Sequence, residues 1–137
     1  MENVCNGMPT LQIKEVDDSD HHPLFSFKYL NDVTIKKVKD GKFFVQFLNR
    51  LKQLSLLGWA EIELSHRHSF GIERMPKGQL RHLDNLPSAF EKYREFDVFR
   101  ATGNNRVFVG KRLGDIFYIL LIEYVFGDVS SHGGKKR

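Results

Sequence analysis

The sequence predicts an α+β domain: an antiparallel sheet, closing in a C-terminal three-stranded meander, packed on one long helix and one or two short ones. Gly103-Asn104-Asn105 and Gly114-Asp115 cut Phe96 to Phe126 into three runs dense in aromatic and β-branched residues, the pattern of hairpin-connected strands. The last run, from Ile116, is apolar on both alternating faces apart from Glu123, which predicts the central strand of the sheet. Between Asp40 and Gly58 apolar residues recur at helical spacing.

Taken in order, Met1 to Pro9 has no periodicity and is expected to be a disordered lead-in. Leu11-Gln12-Ile13-Lys14 alternates weakly as a strand, and Asp17-Asp18-Ser19-Asp20 reads as a turn that lacks the glycine and distal glutamate of a calcium loop. Leu24 to Leu30 puts Phe25, Phe27 and Tyr29 on one face of a half-buried strand. Asp40 caps the helix, whose expected core stripe is Phe44, Phe47, Leu48, Leu51 and Leu54, with Arg50, Lys52 and Gln53 on its outer side. Trp59 and Ile62 share a face of a second short helix. Ser65 to Gln79 is expected as an irregular connection with a short strand at its middle, and Pro87 or Ser88 as the start of a helical turn running to Tyr93.

At 137 residues and 41% hydrophobic, the chain is sized for one domain, 1–137, with tails expected at 1–9 and 128–137. Cys5 has no partner cysteine, and no apolar run is long enough for a membrane helix, so the expectation is a cytoplasmic protein with no membrane partner. The net charge of +4 is uneven. Glu15, Asp17, Asp18 and Asp20 crowd the N-terminal segment, whereas Lys92, Arg94, Arg100, Arg106, Lys111 and Arg112 decorate the meander and Lys135-Lys136-Arg137 ends the chain. A basic sheet face is the footprint of a phosphate backbone; an ordinary solvated surface is the alternative.

Three constellations are candidates for chemistry. His66 and His68 are spaced to share one side of an extended segment, but the spacing supplies no third metal ligand from His82, Glu73 or His21-His22, so no metal or cofactor is predicted. With Arg67, Arg74 and Phe70 the same loop can contact a nucleotide by charge and stacking. Arg100 and Arg106 flank one hairpin turn, where a phosphate between them would relieve their repulsion; otherwise they point to opposite faces or pair with Glu95 and Asp97. His132 follows the last strand and is either a general acid or base for phosphodiester cleavage or part of a frayed tail. No phosphate-binding glycine loop, Ser-His-Asp order or Cys-His pair appears, which disfavours P-loop hydrolysis and covalent catalysis.

The order of elements, together with Phe96 to Arg100, Arg106 to Arg112, Asp115 to Ile122 and the tail Val129-Ser130-Ser131-His132-Gly133, resembles the RelE/ParE-like toxin superfamily. The resemblance implies a metal-independent endoribonuclease acting on messenger RNA at the ribosome and restrained by an antitoxin protein. In that frame Arg100, Arg106, Lys111 or Arg112 holds phosphate and His132 moves a proton. The chain departs from the family in its acidic N-terminal segment and its His-rich connection, and a related branch lacks nuclease residues and acts on a protein. Two function classes follow: a toxin-like ribonuclease, and a non-catalytic module that binds nucleic acid or protein.

Overall fold

The apolar residues of the meander alternate so that both of its surfaces need cover, and this decides the layering. The computed structural model describes residues 21–65, 70–101 and 105–130. The lead-in, the Leu11–Lys14 strand and the Asp17–Asp20 turn lie outside them, as do His66, Arg67, His68 and His132. The described elements are β1 (Leu24–Ser26), α1 (Gly41–Ser55), α2 (Trp59–Leu64), β2 (Glu73–Pro76), β3 (Glu95–Arg100), β4 (Val107–Leu113) and β5 (Ile116–Ile122), with single 3-10 turns at Asp32–Thr34, Lys77–Gln79 and Ser88–Phe90. They form one sheet in the order β1-β5-β4-β3-β2; β1 runs parallel to β5 and every other pair is antiparallel.

The α+β class with a C-terminal meander is therefore what the chain adopts. β5 is interior, flanked by β1 and β4, although β4 is the geometric middle where β5 was expected. On one surface Phe99, Ala101, Phe108, Phe117, Ile119 and Ile122 meet the helices through Phe43, Phe47, Leu51, Leu54, Trp59 and Ile62. On the other, Phe96, Val98, Val107, Val109, Leu120 and Leu121 are covered without a long helix, by Leu80, Leu83, Phe90 and Val129. The expected basic sheet face is corrected by this: apolar layers cover both surfaces, so the cations of the meander emerge at strand ends and edges.

Helix α1 starts where the Asp40 carboxylate accepts the Lys42 amide at 2.9 Å. Its buried stripe is Phe43, Phe47, Arg50, Leu51 and Leu54, while Phe44 and Leu48 are 42% and 66% exposed. The helix is thus rotated from the expected stripe, because Phe43 finds Tyr124 edge-on at 5.0 Å and Phe47 finds Phe108 at 5.2 Å. Arg50, expected outside, is carried in. Strand β1 is shorter than predicted: Ser26 Oγ accepts the Lys28 amide at 3.2 Å and Phe27 carbonyl accepts the Leu30 amide at 3.1 Å, so a turn replaces the ladder and Phe27 stays 48% exposed.

Two glycines in the β4–β5 hairpin are required by geometry. Gly114 has φ +66° at the first position of a two-residue loop, the conformation such a turn demands there. At Gly110 a register shift in the β4–β5 pairing opposes Ile119 to Gly110 and Leu121 to Val109, so Leu120 is the extra residue of a bulge. The bulge lets Leu120 and Leu121 both enter the second core layer. It also brings Tyr118 carbonyl to 2.0 Å from where a Cβ on Gly110 would sit, with Phe117 Cε2 at 2.7 Å. Gly110→Ala is expected to lower unfolding free energy by about 3 kcal/mol, through clash with backbone that cannot retreat; urea denaturation measures it, with exposed Gly78→Ala as the near-neutral comparison.

Candidate functional site

Glu123 follows β5 and is fully buried. Its Oε1 accepts the Val107 amide at 3.2 Å; its Oε2 accepts the amides of Gly127 at 3.1 Å, Val129 at 3.0 Å and Ser130 at 3.2 Å. The chain after β5 is thereby folded back and fixed. The 80–82 segment holds it from outside: Leu80 bridges to Ser130, the Arg81 amide donates to Val129 carbonyl at 2.7 Å, the Arg81 guanidinium donates to Gly127 carbonyl, and the His82 ring lies 3.3 Å from the Asp128 carboxylate. The tail expected from residue 128 is thus pinned through Ser130, because the buried amides at 129 and 130 and the half-buried one at 127 need an acceptor and Glu123 supplies it.

The carboxylate that takes the Ser130 amide also takes that of Val107, which directly follows Arg106 and pairs with Arg100 across the ladder. Ser130, two residues before His132 in sequence, is therefore held at the arginine-bearing end of the meander. At that end the Arg100 guanidinium donates to Asn105 carbonyl at 3.3 Å, and Arg106 donates to Tyr124 carbonyl with its guanidinium 5.8 Å from the Tyr124 ring centre. The alternating pleat gives Arg100 the side of Val98 and Val107 and gives Arg106, opposite Ala101, the other side, so the two straddle the sheet end: the expected pair facing one phosphate is corrected to the alternative of one arginine on each face.

A third arginine joins them from α1. Arg50 Nε donates to Arg100 carbonyl at 3.2 Å, and its guanidinium stacks 4.5 Å from the centre of the Phe70 ring. Burial, and after it the positive charge of Arg100, hold Arg50 below its ordinary pKa. Phe70 is the residue at which the chain re-enters the described structure after His66, Arg67 and His68. Both histidine-bearing segments are thus joined to the described fold at this sheet end, one at Phe70 and the other at Ser130.

Other cations named from the sequence are taken up elsewhere. Arg74 forms a two-pronged pair with Glu63 at 3.1 and 3.0 Å and reaches buried Asp97 at 3.1 Å; Arg112 also meets Glu63, at 3.4 Å, and lies 4.2 Å over the Trp59 ring. Asp97 additionally accepts the Arg112 amide at 2.8 Å. These two arginines hold α2 against β2, β3 and β4, and the Glu95 or Asp97 pairing considered for Arg100 and Arg106 goes instead to Arg74 in the case of Asp97. Lys111 lies at the opposite end of the meander, with Nζ donating to Glu95 carbonyl at 3.1 Å. Among the described residues no group of three His, Cys, Asp or Glu is placed to hold a metal ion; His82 faces Asp128, and His21 faces Asp115 at 3.0 Å. Among them also, no helix is long and apolar enough to cross a membrane.

Sequence reasoning missed Arg50, because an arginine on an amphipathic helix reads as solvent-facing. The signal available was its spacing of seven from Phe43 and three from Phe47, which puts it on their face. No family model, curated protein or solved structure matches this chain.

The Glu63 cluster carries a pH dependence. The hydrogen bonds from Arg74 foremost, with the charges of Arg74 and Arg112, outweigh burial and hold the Glu63 carboxyl below its ordinary value of 4.5; the same contacts raise Arg74. A carboxyl with a depressed folded-state pKa stabilises the fold above its unfolded value and loses that contribution as pH falls through the folded one. Stability is expected to decline on acidification from about pH 4.5 downward, and Glu63→Gln to remove that part of the decline. Thermal melts of both proteins across pH check this; parallel curves contradict it.

Proposed function

We propose that the chain is a toxin-like, metal-independent endoribonuclease of the RelE/ParE type, which binds RNA at the arginine-bearing end of its sheet. The observation that supports this reading is the placement at one end of the sheet of Arg50 and Arg106 on the helix side and Arg100 on the other, near Phe70 and Ser130, the described residues next in sequence to the segments carrying His66, Arg67, His68 and His132.

In this reading the RNA strand crosses the sheet end, where Arg100 from one side and Arg106 from the other hold its phosphates and stabilise the charge that builds on the oxygens during cleavage. Buried Arg50 supports the strand end from below. His132 exchanges a proton with the 2′-hydroxyl, whose oxygen forms the new bond to phosphorus, or with the 5′-oxygen that leaves. The His66-Arg67-His68 loop contacts flanking nucleotides. The protein acts in the cytoplasm on messenger RNA at the ribosome and is restrained by an antitoxin that covers the same charges. Arg74 and Arg112, engaged with Glu63, hold the scaffold rather than the RNA.

Induced expression and cleavage of RNA in chelator test the proposal together. Wild type is expected to arrest growth and cut RNA, while His132→Ala and Arg106→Ala each lower the cleavage rate by about 10²-fold or more and restore growth. Wild-type protein that binds RNA and leaves it intact, or cleavage indifferent to His132, makes the chain a non-catalytic binding module.

A further inference from the structure

At the other end of β3 from Arg100, an open groove of about 490 Å³ is lined by Pro76, Lys77, Gly78, Glu91, Lys92, Tyr93 and Arg94. Its shape comes from the chain itself. The Lys77 amide donates to Arg94 carbonyl at 2.8 Å, which joins the end of β2 to the approach of β3. Beneath it, Tyr93 is backed by Phe90, which in turn packs against Tyr29 and Tyr118.

Cations gather on that aromatic floor. Lys111 Nζ stands 4.5 Å from the centre of the Tyr93 ring while donating to Glu95 carbonyl, and Lys92 Nζ stands 5.3 Å from the same ring. The ring therefore keeps two ammonium groups at the groove by attraction to its π face. Lys77 and Arg94 complete the rim. Among the described residues no carboxylate forms an ion pair with Lys77, Lys92, Arg94 or Lys111, in contrast to Arg74 and Arg112 on the same sheet. Glu91, on the groove wall, is the one acidic side chain lining it.

We infer that this groove is a second phosphate-binding site, taking the backbone of single-stranded RNA about 20 Å from Arg100 along β3. It rests on the proposal that the protein acts on RNA, and it adds a place where the strand is held away from the point of cleavage. The distance prevents one phosphate from serving both ends. The groove contributes affinity and register, with no part in proton transfer.

The test uses the full chain carrying His132→Ala, so that RNA stays intact, and a short fluorescent oligouridylate titrated at several salt concentrations. Replacing Lys92 and Arg94 with Ala is expected to weaken binding roughly tenfold and to flatten the dependence of log affinity on log salt by about 1.4. Glu91→Gln is expected to tighten binding. Removing the same charge from exposed Lys37 and Lys39 is expected to leave the slope unchanged. Unaltered affinity and slope in the Lys92/Arg94 variant, an equal fall in the Lys37/Lys39 variant, or Glu91→Gln failing to tighten would overturn the groove. An oligonucleotide that binds by this pattern but is never cut by the protein with His132 restored would leave the groove standing and remove the nuclease; cleavage with unaltered groove variants would do the reverse.

Discussion

A single buried carboxylate, that of Glu123, gathers backbone amides from the start of β4 and from the chain that returns after β5. A carboxyl group has no favourable place in an apolar layer unless its oxygens find donors, and here Val107, Gly127, Val129 and Ser130 supply them. The arrangement is reciprocal, since three of those amides are in a turning segment with no ladder of its own. Removing the acceptor would leave several buried donors unmet at once, a larger loss than any one of the bonds suggests.

What that contact positions is the second core layer and the candidate site together. Val129 is drawn down onto Val107, Leu120 and Leu121, so a loop does the work that a helix does on the opposite surface. The same fold-back holds Ser130 beside the strand end that carries Arg100 and Arg106. With both sheet surfaces covered, the positive charge of the meander separates by location. One group sits at the β3–β4 turn with Arg50, a second is locked to Glu63 and Asp97, and a third surrounds Tyr93.

The meander was legible because its turns are punctuated by Gly114 and Asp115 and its strands by aromatic and β-branched residues. The long helix was legible because Asp40 and Gly58 bracket it. The rotation of that helix was not, since Phe43 and Phe44 fit the helical period equally well and Tyr124 and Phe108, far along the chain, decide between them. The role of Glu123 shows the same limit. In the sequence it interrupts an apolar run and looks like an exception; its meaning depends on amides brought to it from residues 107 and 127–130 by tertiary folding. The ion pairs of Arg74 and Arg112 were equally out of reach, because their partner Glu63 belongs to a helix whose placement depends on packing of Trp59 and Ile62.

Amide hydrogen exchange, read residue by residue in wild type and in Glu123→Gln, probes this account most directly. Slow exchange at Val107, Gly127, Val129 and Ser130 is predicted in the wild type. In the variant those four amides should speed up by roughly tenfold or more relative to amides within α1. Exchange of Val129 and Ser130 at unprotected rates in the wild type, or at the same rate in both proteins, would contradict the central role given to this carboxylate.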